Sequence, residues 1–179
     1  SPNQMFSRAE ALAVRLHSLA GIETVALGGS LARGTADTHS DIDIHVFCAV
    51  IPFGNVRRNL IASWPDVQQS PRIEPACDTV WMDGVMVHIR YWHSEEVDRM
   101  FALYPAPPSN MFLSEELQIG KSLFDPKGRI RLWQQMIAGQ SVASSGTKSH
   151  ADMRAHSSTK YSICLRMYPG PSISSTTFT

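Results

Sequence analysis

The sequence is short of cysteine, of net charge and of long apolar runs, and each shortage excludes something. Sixteen Lys and Arg balance sixteen Asp and Glu, a formal net charge of zero. A strongly basic surface, the footprint of a protein that binds long nucleic acid, is therefore not expected. The three cysteines, Cys48, Cys77 and Cys164, are odd in number and far apart. They form neither a disulfide framework nor a Cys-x-x-Cys metal site, and read as buried or incidental thiols in a reducing compartment. No apolar run approaches the ~20 residues of a membrane span. The first residues lack the basic segment and apolar run of a secretory signal, so a cytoplasmic protein is expected. The chain of 179 residues has the apolar and charged fractions of a globular protein, and can form one domain with a real core.

What the sequence has is one organising stretch, residues 25–47, VALGGSLARGTADTHSDIDIHVF. An apolar run ends abruptly in Gly28-Gly29-Ser30, a polar connector follows, and Asp41-Ile42-Asp43-Ile44-His45 then alternates polar with apolar. That alternation is the period of a half-buried strand. Residues two apart on a strand share a face, so Asp41 and Asp43 project together while Ile42 and Ile44 enter the core. Adjacent carboxylates repel, and a divalent cation removes the conflict. Oxygen-only ligands beside an anionic substrate suit Mg²⁺. Glycine permits a sharp turn and close approach to a ligand. The backbone N–H groups after it, at the start of a short helix, favour an anion, and the Ser30 hydroxyl can add a hydrogen bond to a phosphate oxygen.

Leu27-Gly28-Gly29-Ser30, ten residues, then Asp41-Ile42-Asp43-Ile44 resembles the nucleotidyltransferases of the DNA polymerase β-like superfamily. Ala32-Arg33-Gly34-Thr35 and Ser40 look like its small bacterial branch of antibiotic and minimal nucleotidyltransferases. The resemblance implies an α/β (α+β) fold, a small mixed twisted sheet flanked by helices. It also implies transfer of a nucleoside monophosphate from ATP or another nucleoside triphosphate. Gly28, Gly29, Ser30 and Arg33 are then the nucleotide-binding candidates, and Asp41 and Asp43 the catalytic and Mg²⁺-binding ones. Arg33 reads equally as a structural cation. His45 shares the face of the acids, where it either lines the cleft or closes the polar edge of the strand.

The rest of the chain is read as scaffold. Residues 6–20 give an amphipathic helix, with Ser7 as N-cap and Gly21 as C-cap. Residues 56–64 give another, with Val56, Leu60, Ile61 and Trp64 on one stripe. Asp83-Gly84 suits a type I′ turn between strands 79–82 and 85–92. On the second arm Val85, Val87, Ile89 and Tyr91 face one way, and Met86, His88, Arg90 and Trp92 the other. The resembling family draws a third carboxylate from this strand, and Val87-His88-Ile89 departs from that pattern. His88 is thus a substitute base, a weak ligand or a mark of lost catalysis, with Asp78 and Glu74 as other acids to consider. Ser94 starts a helix whose core face holds Val97, Met100, Phe101 and Tyr104, and Glu95 and Glu96 are surface acids at its first turn. Residues 113–120, capped by Ser114, and 130–138, ended by Gly139, are the last helices expected.

The domain is expected to span 1–140, followed by a Ser/Thr-rich tail, 141–179, in which no packed structure is expected. The expected partners are a nucleoside triphosphate and an acceptor hydroxyl. The acceptor is either an aminoglycoside- or lincosamide-like small molecule or a protein. The alternative is a catalytically impaired nucleotide- or partner-binding module. Oligomeric state is not written in the sequence.

Overall fold

A computed structural model describes residues 1–102 and 111–144. Six helices and six strands lie along them: α1 (Pro2–Leu16), β1 (Ile22–Leu27), α2 (Gly29–Arg33), β2 (Ile42–Cys48), α3 (Gly54–Ala62), β3 (Arg72–Ile73), β4 (Cys77–Met82), β5 (Val85–His93), α4 (Ser94–Ala102), α5 (Met111–Ile119), β6 (Lys121–Phe124) and α6 (Arg129–Ser144). The strands form one mixed sheet in the order β3-β4-β5-β2-β1-β6. Only β2 and β5 run parallel, and that pair lies at the centre. The α/β class expected from the sequence is the class observed.

Alternation sorts the sheet into two faces. On one, Ile42, Ile44, Val46, Val87, Ile89 and Tyr91 pack with Ala9, Leu12 and Leu16 of α1 and Ile61 of α3. On the other, Ala26 and Phe47 pack with Val97, Phe101, Leu113, Leu117, Ile130 and Trp133 of α4, α5 and α6. This second layer changes the reading of β2. Every residue of it is buried, so the acidic strand is covered on both faces rather than half-buried.

Several local boundaries differ from the sequence reading. Helix α1 begins at Pro2, which the first helical turn tolerates because its N–H would have no intrahelical partner. Ser7 and Glu10 are therefore interior, and Gly21, at φ +87°, belongs to the turn into β1 rather than to the helix end. Ser114 lies inside α5, and α6 continues through Gly139 to Ser144. That glycine is exposed, with nothing near enough to force a break there. Asp41 sits one residue before β2. The Asp83-Gly84 hairpin has positive φ at both positions, as a type I′ turn requires. Tyr104 and the 145–179 part of the expected tail lie outside the described residues.

One buried ion pair holds α3 to the sheet. Val56, expected in the core, is exposed, and Arg57 beside it is buried. Arg57 Nη1 donates to Asp78 Oδ1 at 2.7 Å and Nη2 to the Glu74 carbonyl at 2.7 Å. Its guanidinium carbon lies 4.6 Å from the centre of the Tyr91 ring. Burial drives the Asp78 carboxyl up to about 6 against the pull of Arg57. Arg57→Met is expected to destabilise the fold by roughly 3–5 kcal/mol at pH 8, because it strands a buried carboxylate. A raised carboxyl pKa means that the folded state holds the proton more tightly, so stability rises as pH falls. The penalty should therefore shrink at pH 5, where Asp78 takes up a proton. Equal losses in denaturant melts at pH 5 and pH 8 would show that the pair is not what stabilises this corner.

Candidate active site

The Gly28-Gly29 turn and the acidic strand are built against each other. The Gly28 N–H donates to the Asp43 carbonyl at 2.9 Å. Gly29 has φ +65°, and a Cβ there would collide with the Asp43 carboxylate. Glycine is needed at this position for both reasons. Helix α2 then runs for five residues and ends on Gly34 in the left-handed region at φ +76°. Ser30 is half-buried at its first turn, and Arg33 projects from its last.

Each carboxylate has a basic neighbour from β5. Parallel pairing sets Asp43 opposite His88 and His45 opposite Arg90. Asp43 is buried, and its Oδ1 accepts from Arg90 Nη1 at 2.7 Å. The Asp41 side chain is 42% exposed, and its Oδ2 lies 3.6 Å from His88 Nε2. His88 Nδ1 lies 3.4 Å from Thr79 Oγ1. His88 thus lies beside the acids. Asp78 does not, since it pairs with Arg57 on the opposite face. Glu74 pairs with Arg72.

Two groups join the site without having been singled out in the sequence. Arg90 was visible only as a residue in phase with His88, and the parallel pairing that sets it beside Asp43 has no local signal. Glu116 of α5 is the second. Its Oε2 accepts from the Gly29 N–H at 2.6 Å, and its Oε1 accepts from Arg33 Nη2 at 3.0 Å. Burial alone would raise this carboxyl. His45, the Gly29 N–H and Arg33 outweigh burial and hold it down at about 2. Arg33 is therefore placed by an acid of the chain itself. His45 is fully buried behind the turn, with Nε2 3.5 Å from Glu116 Oε2. The indole N–H of Trp92 donates to its Nδ1 at 3.1 Å, which leaves the ring proton on Nε2, facing Glu116.

The donor set bears on what metal could be held here. Among the described residues no group of three or more His, Cys, Asp or Glu is arranged to hold an ion. Two carboxylates, one of them open to solvent, match a divalent cation whose remaining positions are filled by water and substrate phosphates, the habit of Mg²⁺. Also among the described residues, no helix is long and apolar enough to cross a membrane.

Residues 10–69 match the family model described as a nucleotidyltransferase domain. That stretch runs from α1 through the glycine turn and both acids to just beyond α3. No curated protein matches the chain. Among solved structures it is similar to a crystal structure of a toxin–antitoxin with AMP-PNP, at 17% identity and a TM-score of 0.41, over 76% of this chain and 89% of that one.

Proposed function

We propose, from the match of residues 10–69 to a nucleotidyltransferase domain, that this chain is a nucleotidyltransferase of the DNA polymerase β-like superfamily and moves a nucleoside monophosphate from ATP or another nucleoside triphosphate to a hydroxyl, with release of pyrophosphate. The acceptor hydroxyl belongs to a small molecule of the aminoglycoside or lincosamide kind, or to a protein. The observation that carries this reading is the closeness of the glycine turn to the acidic strand, where a Cβ on Gly29 would fall on the Asp43 carboxylate. It supports a reading in which a close-approach turn for phosphate adjoins an acid for metal.

In this reading Gly28, Gly29 and Ser30 seat the terminal phosphates, and Arg33 adds charge to them. Asp41 and Asp43 hold Mg²⁺, which when bound neutralises charge on the phosphates and lowers the pKa of an attacking hydroxyl. Arg90 fixes the Asp43 carboxylate in one orientation through a short charge-assisted bond. The remaining contribution of the protein is positioning and preorganised charge. His88 lies beside Asp41 and is the group available to accept the hydroxyl proton. A cytoplasmic location fits this chemistry, since it supplies nucleoside triphosphates and Mg²⁺.

The deciding experiment incubates the protein with Mg²⁺ and a triphosphate labelled at the α-phosphate. Candidate small-molecule acceptors and co-purified proteins are then examined for label. Label on either acceptor class supports transfer and identifies the class. Nucleotide binding without label on any acceptor favours the impaired module, for which His88 in the place of an acid is the motivating feature. His88 itself is tested by two substitutions. His88→Ala should lower transfer about 10²-fold or more if the imidazole is the base. His88→Asp should retain or raise Mg²⁺-dependent transfer, because oxygen restores the family arrangement. If His88→Ala transfers at the wild-type rate, the ring has no part in the chemistry.

A further inference from the structure

The donors of the glycine turn are engaged by an acid from elsewhere in the chain. Glu116, 87 positions from Gly29 in sequence, reaches the turn from α5 and takes the Gly29 N–H with one oxygen and Arg33 with the other. His45 closes the same side, its Nε2 turned to Glu116 by the Trp92 hydrogen bond to Nδ1. The carboxylate is 7% exposed. A Cβ on Gly28 would come within 2.5 Å of Glu116 Oε2 and 2.7 Å of His45 Nε2, so the first glycine of the turn makes room for this acid. A backbone N–H, a guanidinium and an imidazole N–H around one buried anion are also the groups that hold a phosphate oxygen. Two anions cannot share them, because like charges at this separation repel strongly in a water-poor site.

We propose that Glu116 is an internal competitor for the nucleotide: its carboxylate occupies the donors that a nucleotide phosphate takes, and it must withdraw before the triphosphate seats. The inference rests on reading the glycine turn as the phosphate site. It adds an autoinhibitory contact, in which the energy of binding is spent partly on releasing α5 from the turn. Glu116→Gln keeps the shape and one acceptor oxygen but removes the charge. Glu116→Ala removes the occupant altogether.

The test is calorimetric titration of the wild-type protein, Glu116→Gln and Glu116→Ala with a non-hydrolysable triphosphate analogue and Mg²⁺. Thermal melts confirm that each variant is folded. Loss of the competing charge should tighten binding about tenfold. The wild-type protein supplies an independent readout, hydrogen exchange of the α5 amides, which should speed up when the analogue binds. Tighter binding by folded variants, together with faster α5 exchange in the wild type, supports the competition. If the wild type binds the analogue and Glu116→Gln binds it equally or more weakly, or if α5 exchange does not rise, the competition is overturned while the phosphate site stands. If no folded form binds the analogue, the phosphate reading falls and takes this inference with it.

Discussion

Asp43→Asn is expected to abolish nucleotidyl transfer and to destabilise the fold, whereas Asp41→Asn is expected to abolish transfer almost without structural cost. The two acids have the same proposed task but different surroundings. Asp43 is buried and bonded at 2.7 Å to a buried Arg90. Asn retains one acceptor oxygen but no charge, so Arg90 loses its carboxylate partner in a place that water hardly reaches. Breaking a buried pair in this way costs about 2–4 kcal/mol after allowing for the hydrogen bond that survives. Asp41 is 42% exposed and lies 3.6 Å from His88. Removing its charge there is worth less than about 1 kcal/mol. Transfer should fall about a hundredfold or more in both, since in the proposed site each contributes charge used by the reacting phosphates. Paired melts and transfer assays separate the effects. A stable, inactive Asp41→Asn beside a destabilised, inactive Asp43→Asn is the expected result. Wild-type transfer in either variant would end the metal-site proposal.

That asymmetry was hidden in the sequence, and the reason is physical. Period-two alternation says that Asp41 and Asp43 point the same way, but not what covers them. The cover comes from α4, α5 and α6, whose packing on Ala26 and Phe47 is a long-range event. The same limit explains Arg90 and Glu116. One meets Asp43 through a parallel strand pair, the other meets Gly29 across 87 positions. A parallel pair needs a long crossover, and no turn residue specifies its register. The antiparallel hairpin at Asp83-Gly84, by contrast, carries its own turn signal, and it was read correctly from two residues.

The Arg57 corner was legible in part. Asp78 falls in phase with Val80 and Met82 on a strand whose core face is apolar. A carboxylate in such a position demands a buried cation. Following that demand would have turned Arg57 inward in place of Val56, against the helical stripe that an apolar count prefers. The glycine turn and the acid strand were readable for the opposite reason: their chemistry lies within 20 residues, and each signal is local.

Gly29→Ala should be the most damaging single substitution in the turn, for a reason that involves no substrate. At φ +65° a side chain is strained even in open space, at a cost of about 1–2 kcal/mol. Gly29 is not in open space: its Cβ would fall on the Asp43 carboxylate. Asp43 would have to move, and its bond to Arg90 would move with it. The combined loss should be roughly 2–4 kcal/mol, with transfer reduced to background because the acid and the phosphate turn no longer meet. Gly34 provides the control. It has φ +76°, and a Cβ there meets nothing within 4 Å. Gly34→Ala should therefore carry only the conformational cost, about 1 kcal/mol, and keep its transfer activity. Comparing the two alanine variants in one assay isolates the contact from the strain. Should Gly29→Ala behave like Gly34→Ala in both melting and transfer, the glycine turn and Asp43 would not be coupled, and the site drawn around that contact would have to be abandoned.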